Sequence, residues 1–505
     1  MSGSGSGDGR RGDRSHSDVL IVGAGSAGCV VAAALSADPD RVVTVVEAGP
    51  VWPGPGALPA ELRDPAVLPV GPDSVVARHY PGNLVRGRLI GGSGAINGSY
   101  YVRATAADHR AWQEVAADPF WAPEAVLATH VALERDADFA DAPWHGSRGP
   151  VPVRRIARLA PVSEEFVAAC ARAGFAGIAD LNAPSHISHT PHTSHTQDPS
   201  APSPISARDD VEGVGPVPCA LDDHGRRAGP ALTHLYPAAH RPNLTVIGDT
   251  TVTRLRLTRG RVTGVEWRRG RARGVHGADR VILCAGAVES AALLIRSGIG
   301  PVDQLLRLGI PVAQPAPVGR WCTDHPEAGL EFPAADPGQA TVPLEAVLLT
   351  AGVEVRPYTL AFTPGVRRIG VALTRPRSVG VLELRSADPD VPARVDAPVP
   401  DRPGRPGRAA ARGGGRGRRG RGPRPGTRRR CAARAARHIA ASVRHLPHGS
   451  RRRRARGGRF PRAGVRGGGS VGRRPVGGPR SAGTWATGDR ADARRAARVT
   501  SGVTT

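Results

Sequence analysis

The sequence predicts an α/β fold: a parallel sheet flanked by helices, interrupted by a second domain of sheet plus helices, with a disordered C-terminal tail. Three observations predict it. An apolar run, Val19 to Val22, leads directly into glycines at positions 23, 25 and 28. A small-residue helical stretch, Ser26 to Leu35, and a β-branched run, Val42 to Val46, follow at once. Far downstream, Val281 to Pro301 repeats the order of apolar strand, small-residue turn and helix.

Val19 to Val22 is a continuous apolar run with no alternation, which suits a strand buried on both faces of a parallel sheet. Gly23, Gly25 and Gly28 form GxGxxG between that strand and the helix beginning at Ser26. The three glycines serve a tight turn, close approach of backbone to a pyrophosphate, and close packing of helix on strand. The helix start adds free N–H groups and the positive end of its dipole. Glu47, with Ala48 beside it, closes the second strand nineteen residues after Gly28, where a carboxylate accepts hydrogen bonds from a ribose 2′-OH. An acid there favours FAD or NAD over NADP. Cys29, next to the motif, reads as a small buried residue rather than a redox thiol.

A second cluster, "GRLIGGSGAINGSYYVR" from Gly87 to Arg103, separates FAD from NAD. Gly91, Gly92, Ser93, Gly94 and Ala95 are small and precede Asn97, Gly98 and Ser99, leaving room for a bulky planar group beside backbone donors. Two further passages point the same way: "VILCAGAVESAALLIRSGIGP", with Ala285 and Gly286 at the end of its strand, and "VGRWCTDHP" from Val318.

Together these segments resemble the glucose-methanol-choline (GMC) family of FAD-dependent alcohol oxidoreductases. The family's signatures resemble GRxLGGSSxIN, then GAxxSPxLLxxSGIGP, then VGxxLxDHP. The matches run in order from Ser17 to about Pro326, with Gly94 in place of the usual second Ser, Ala291 in place of Pro, and Trp321-Cys322 as an atypical filling. The resemblance implies a Rossmann-like FAD-binding domain, hydride transfer from an alcohol carbon to flavin, Ser99 near the flavin, and Val252 of "NLTVIGDTTVTRL" meeting the adenine through its backbone. Within the family, "RHYPG", "GGSGAINGSYYVRATAADHRAW" and "HGSRGPVPVRR" look most like the branch associated with mycofactocin. That narrower resemblance implies oxidation of a reduced redox cofactor, with electrons passed to a respiratory acceptor rather than to oxygen.

The expected organisation is a disordered start (1–16), FAD-binding segments at 17–112 and 219–317, a substrate or cap region at 113–218 with a low-complexity loop at 183–210, and a substrate-binding segment at 318–397. An Arg/Gly-rich tail fills 398–505. The chain of 505 residues carries a formal charge of +25, with no Lys. Such a charge ordinarily suggests a nucleic-acid partner, yet 30 Arg against 3 Asp lie after position 400, and the remainder holds 39 basic and 41 acidic side chains. The body is near neutral, so a nucleic-acid partner is not expected.

Six scattered cysteines form no CxxC pair, which argues against a zinc site or disulfide framework and for a reducing cytoplasm. A membrane-peripheral position stays open through the respiratory acceptor. No apolar run is long enough to span a bilayer, and the first sixteen residues lack the apolar core of a signal peptide. His186, His189, His192 and His195 recur every third residue, but Pro191 and Ser/Thr filler make that stretch a solvated loop. No metal site is assigned.

The resemblance also implies a catalytic His near the C-terminus, in a segment resembling HxxGTCxMG, followed by a strand resembling GRVxGVxGLRVxDASVxP that closes over the flavin. Neither is present in this frame. From Pro398 onward the chain is mainly Arg, Gly, Pro and Ala, residues of GC-rich codons. Read one nucleotide out of register, the codons of Val399 to Ala410 admit Tyr-Leu-Thr-Asp-Pro-Ala-Asp-Arg-Ala-Ala-Leu-Arg. Those of Ala441 to Gly449 admit His-Leu-Ser-Gly-Thr-Cys-Arg-Met-Gly. Those of Arg462 to Pro479 admit Gly-Arg-Val-Tyr-Gly-Val-Glu-Gly-Leu-Trp-Val-Ala-Asp-Arg-Ser-Val-Val-Pro. A frameshift near Ala397 explains all three. His445 and His448 lie close to the expected base but receive no catalytic role. The chain as written is therefore expected to turn over weakly or not at all and to hold flavin poorly. The competing readings are a catalytically dead flavoprotein fragment and a polyanion-binding Arg/Gly tail, the latter weakened by having Phe460 and Trp485 as its only aromatics.

Overall fold

The computed structural model describes residues 15–184, 212–333, 341–350 and 352–396. The expected disordered start up to residue 14, most of the low-complexity loop with its four histidines, and the Arg/Gly-rich tail with His445 and His448 lie outside the described residues.

The first strand, β1 (His16–Val22), has its last four residues buried, as an unalternated apolar run requires. It pairs in parallel with β2 (Val43–Val46), which pairs in parallel with β3 (Leu244–Ile247). Between β1 and β2 runs helix α1 (Ser26–Leu35), which turns Gly28, Cys29 and Ala32 toward the sheet. After β3 the chain forms an antiparallel meander of β4 (Thr251–Thr258), β5 (Arg261–Arg269) and β6 (Ala272–Leu283). The far half of β6 continues past the meander and pairs in parallel with β1, from His16 opposite Gly277 to Val22 opposite Leu283. Helix α2 (Gly286–Arg296) follows.

β3 and β4 are consecutive in sequence, yet they stand at opposite edges of the six-stranded sheet, whose order is β4-β5-β6-β1-β2-β3. The linker crosses the carboxyl end of β2, where the N–H groups of Asp249 and Thr250 donate to the carbonyls of Gly49 and Glu47. The meander then folds over one face of the parallel strands, packing Val252, Leu255 and Val265 against Leu20, Val22 and Val46. β6 also starts earlier than its apolar core at Val281 suggests, because its first half is a meander strand with alternating burial. β5 covers β6 only from Ala272 to Gly277, and among the described residues no strand pairs with that edge further along. Val281, Ile282 and Leu283 are consequently only half-buried.

The second domain is a five-stranded antiparallel sheet in the order Glu327–Pro333, Val366–Leu373, Val353–Pro357, Ala346–Thr350 and Gly213–Pro216. A helix, Pro161–Arg172, lays Val162, Phe166, Ala169 and Cys170 on it at helical spacing, against Val214, Leu348, Val355 and Ile369. The segment "GVLELRSADPDVPARVDAP" alternates as a strand should and then turns, and it forms a short hairpin, Val381–Glu383 with Arg394–Asp396. It packs Leu382, Leu384 and Ala393 against Val288 and Ala292 of α2, so it leans on the nucleotide side of the molecule rather than on the second sheet. Among the described residues no helix is long and apolar enough to cross a membrane.

Candidate functional site

The site grows from the carboxyl ends of β1, β2 and β6, where loops leave a parallel sheet and ligands of such folds gather. Gly23, which has positive φ, turns the chain out of β1 directly over Cys284 and Ala285 at the end of β6. Gly28, in the first turn of α1, lies so near the Gly23 carbonyl that a Cβ would stand 2.0 Å from its oxygen. Any side chain would therefore prise the helix off the loop. Gly25 differs: a Cβ there would have only ordinary contacts, at 3.7 Å from the Cys284 oxygen and 3.9 Å from Gly92. Its surroundings leave open space in front of the amino end of α1, which begins at Ser26.

The second glycine cluster docks on the first. The Gly91 N–H donates to the Ala24 carbonyl at 2.7 Å, and a Cβ on Gly92 would stand 2.7 Å from the Gly25 Cα. Ser93 Oγ accepts from the Gly87 N–H at 3.0 Å and fixes the loop's own fold. Glu47 is buried, its Oε2 accepting from the Ala24 N–H at 2.8 Å and its Oε1 from the Gly49 N–H at 2.9 Å. Burial pushes its carboxyl above the usual carboxylate range, while these two donors pull it back. Each oxygen keeps a further lone pair. Ala48 follows half-buried, and Val252 lies just beyond Thr250, whose N–H reaches the Glu47 carbonyl. Ala285 and Gly286 form the turn into α2. The Cys29 thiol donates to the Ala24 carbonyl at 3.2 Å, and burial pushes it up to about 12, in keeping with a packing residue.

Asn97, Gly98 and Ser99 sit where the two domains meet. Asn97 Oδ1 accepts from the Ser99 N–H at 2.9 Å, the Ser99 carbonyl accepts from Ala220, and Gly98 faces Pro343. Ser99 is held at φ 61°, left-handed backbone that costs a non-glycine residue on the order of 1 kcal/mol. Its hydroxyl is buried without a hydrogen-bond partner. A strained residue with an orphaned polar atom, beside a loop lined with small residues, fits a bound ligand that supplies the missing partner. The cradle's free helix N–H groups, buried acid and open space at Gly25 suit a dinucleotide, so the residues present fit FAD.

Arg227 was not legible in the sequence. Its side chain is buried, and its donors go to main-chain carbonyls: Nε to Asn97 at 3.1 Å, Nη1 to Leu62 at 3.0 Å and Nη2 to Val67 at 2.7 Å. Burial without a paired carboxylate lowers its pKa to about 10. It buttresses the Asn97 loop from behind. The second Arg of "GRRAGP" carries no local pattern that announces such a role.

Fold and site together define a flavoprotein oxidoreductase. The chain belongs to the GMC oxidoreductase family, whose sequence profile matches residues 17–200 and 204–327. It is 40% identical over 397 residues to an uncharacterised GMC-type oxidoreductase in the thcA 5′ region of Rhodococcus erythropolis, covering 74% of each chain. It is 31% identical over 409 residues to a 5-(hydroxymethyl)furfural oxidase of a Methylovorus species, covering 74% of this chain and 72% of that one. Among solved structures it is similar to pyridoxine 4-oxidase from Mesorbium loti, with a TM-score of 0.66, 26% identity, and 85% and 81% of the two chains covered. Members of this family are FAD-dependent oxidoreductases acting on alcohol-type substrates, and FAD is the cofactor.

Proposed function

We propose that this chain carries the FAD- and substrate-binding parts of an alcohol oxidoreductase whose proton-accepting segment is encoded out of frame after about Ala397. One observation carries the FAD assignment: Gly25, Gly92, Glu47 and the orphaned Ser99 hydroxyl are contributed by loops that dock on one another at the ends of β1, β2 and β6. The amide groups at the start of α1 bind the pyrophosphate, in the space left by Gly25 and by the Gly91–Gly92 turn docked on it. Glu47 holds the Ala24 turn and offers its remaining lone pairs to a ribose. Asn97, Gly98 and Ser99 orient the isoalloxazine end, and Val252 flanks the adenine. The flavin, when bound, accepts a hydride from the alcohol carbon.

The hydroxyl proton requires a base poised near neutral pH, and no described residue is assigned that part. The frameshift supplies one, in the segment that reads His-Leu-Ser-Gly-Thr-Cys-Arg-Met-Gly. Among the described residues no strand pairs with the outer edge of β6 beyond Gly277, and Val281 to Leu283 are half-buried there; this supports the same reading, since an apolar strand of this kind is ordinarily covered on both edges. The substrate is a small-molecule alcohol or a reduced redox cofactor. The match of "HGSRGPVPVRR" and "GGSGAINGSYYVR" to the mycofactocin-associated branch points to a reduced peptide-derived cofactor, oxidised in the cytoplasm with electrons going to a respiratory acceptor.

Anaerobic spectra of the chain as written and of a frame-restored version test this. The restored protein is expected to purify with flavin absorbance that bleaches on addition of an alcohol or reduced mycofactocin, and the written chain is expected to do neither. Bleaching by the written chain would refute the frameshift reading, and a colourless restored protein would refute the FAD site.

A further inference from the structure

The passage "HGSRGPVPVRR" supplies two members of a buried ion cluster that the chemistry above leaves unused. His145 is fully enclosed, its ring stacked on Phe139 with centroids 5.7 Å apart. Its Nδ1 lies 2.6 Å from Glu134 Oε1 and 3.2 Å from Asp136 Oδ2, and its Nε2 lies 2.8 Å from Asp180 Oδ2. Glu134, Asp136 and Asp180 are themselves buried. Arg155 donates to both Asp136 oxygens and to Asp180 Oδ1, and Arg103 donates to Glu134 Oε1 at 2.6 Å.

Two arguments fix the charge of the ring. Ionised carboxylates only accept hydrogen bonds, and a neutral imidazole has one donor nitrogen and one acceptor. A carboxylate at each ring nitrogen therefore requires both nitrogens to donate. Three carboxylates against two guanidiniums also leave one negative charge, which an imidazolium cancels. The cluster is then electrically closed, its three carboxylates turned to two guanidiniums and an imidazolium.

We propose that His145 is a positioning residue, held as an imidazolium through neutral pH, that closes a six-member ion cluster and thereby clamps the chain leaving the Asn97–Ser99 loop. The clamp is continuous. Arg103 Nη1 donates to the Trp144 carbonyl, the Arg103 N–H donates to Asn182 Oδ1, and Asn182 Nδ2 returns to the Tyr101 carbonyl. The Asn182 N–H in turn donates to Asp180 Oδ1. Breaking the charge at His145 loosens Tyr101 to Arg103, which continues directly from Ser99. The functional weight of the clamp rests on the FAD-site reading, whereas the charge of the ring does not.

The other charged and titratable groups near the ring leave the balance intact. Asp138 is partly exposed and takes the Arg155 N–H at 2.7 Å. His130, on the helix Pro123–Leu133, is pushed down first by burial and then by Arg103, so it stays neutral at neutral pH. Tyr101 is pushed up to about 12, by burial and then by Glu134, and stays protonated. Hydrogen bonds from the ring to Asp180 and Glu134 outweigh burial and raise His145 to about 9, which makes it roughly 300-fold less acidic than a free imidazole.

The test is a histidine-selective ¹³C/¹⁵N NMR titration of the full chain, with His145→Gln assigning the signal. One ring is expected to keep both nitrogens protonated at pH 8 and to titrate near 9, and a His145 signal titrating near 6.5 would overturn the proposal. Should H145Q fail to fold, the unmodified chain decides alone, because the absence of any doubly protonated ring at pH 8 overturns the proposal. Hydrogen exchange then reads the clamp. The Tyr101 and Arg103 amides, bonded to the Pro218 carbonyl and to Asn182, are expected to exchange at least tenfold faster in H145Q, and unchanged exchange would remove the positioning role. Failure of the frame-restored protein to bind FAD would sink the site assignment while leaving both of these readouts standing.

Discussion

Gly28 and Gly25 belong to one motif, but the structure assigns them different costs. An alanine Cβ at position 28 would sit 2.0 Å from the Gly23 oxygen, 3.1 Å from its carbonyl carbon and 3.3 Å from the Cys284 Cβ. Relief requires a backbone shift of more than roughly 1 Å between α1 and the turn, and overpacking on that scale costs about 2–3 kcal/mol. At position 25 the backbone is extended at φ −73° and the new methyl has only ordinary contacts. Gly25→Ala should leave stability unchanged or raise it by up to about 1 kcal/mol, because the unfolded chain loses freedom. Its methyl projects into the cradle, however, and should weaken FAD at least tenfold, which is about 1.4 kcal/mol. Thermal melts of both variants in the full chain, with FAD fluorescence titrations of the frame-restored enzyme, separate the two effects. The reasoning fails if Gly25→Ala melts as early as Gly28→Ala, or if it binds FAD like the parent.

Phe166→Ala empties the centre of the second domain's core, where the ring is fully buried against Leu348, Val355 and Ile369; a loss of about 3–5 kcal/mol in urea unfolding is expected. Arg227→Met strands the carbonyls of Asn97, Leu62 and Val67 and should cost about 2–4 kcal/mol, with Arg227→Lys restoring only part, because an ammonium cannot serve three directions in a plane. Asp180 is lowered to about 2 against burial, by its hydrogen bond from His145 and then by the charge of Arg155. An acid whose folded pKa is depressed contributes stability that is present above its unfolded value and lost as pH falls through the folded one. The stability gap between the parent and Asp180→Asn should therefore shrink by about 2 kcal/mol between pH 4 and pH 2, measured by denaturant titration at each pH.

What could be read from the sequence was what its neighbours in sequence decide. GxGxxG is a local device: the turn at Gly23, the helix from Ser26 and the acid at Glu47 all follow from spacing, and they meet in the fold. The Asn97 loop was legible for the same reason. The placement of the strands around Val252 was not legible, because the crossing of the linker over β2 is set by the carbonyls of Gly49 and Glu47 and leaves no periodic trace. The pairing of Val381–Glu383 with Arg394–Asp396 was not legible, because two three-residue strands separated by a long turn carry no mark of their register. The ion cluster was invisible for a different reason. His145 and Arg155 stand in one passage, but Arg103, Asp180 and the pair Glu134 and Asp136 come from three other segments and converge only through tertiary packing.

Catalytic chemistry encoded one nucleotide away from the frame of residues 398–505 is read directly from the coding DNA of codons 390 to 480. The expected result is a shifted frame free of stop codons that spells His-Leu-Ser-Gly-Thr-Cys-Arg-Met-Gly opposite Ala441 to Gly449 and the Gly-Arg-Val strand opposite Arg462 to Pro479. A shifted frame broken by stops, or one spelling other residues at those codons, would contradict it.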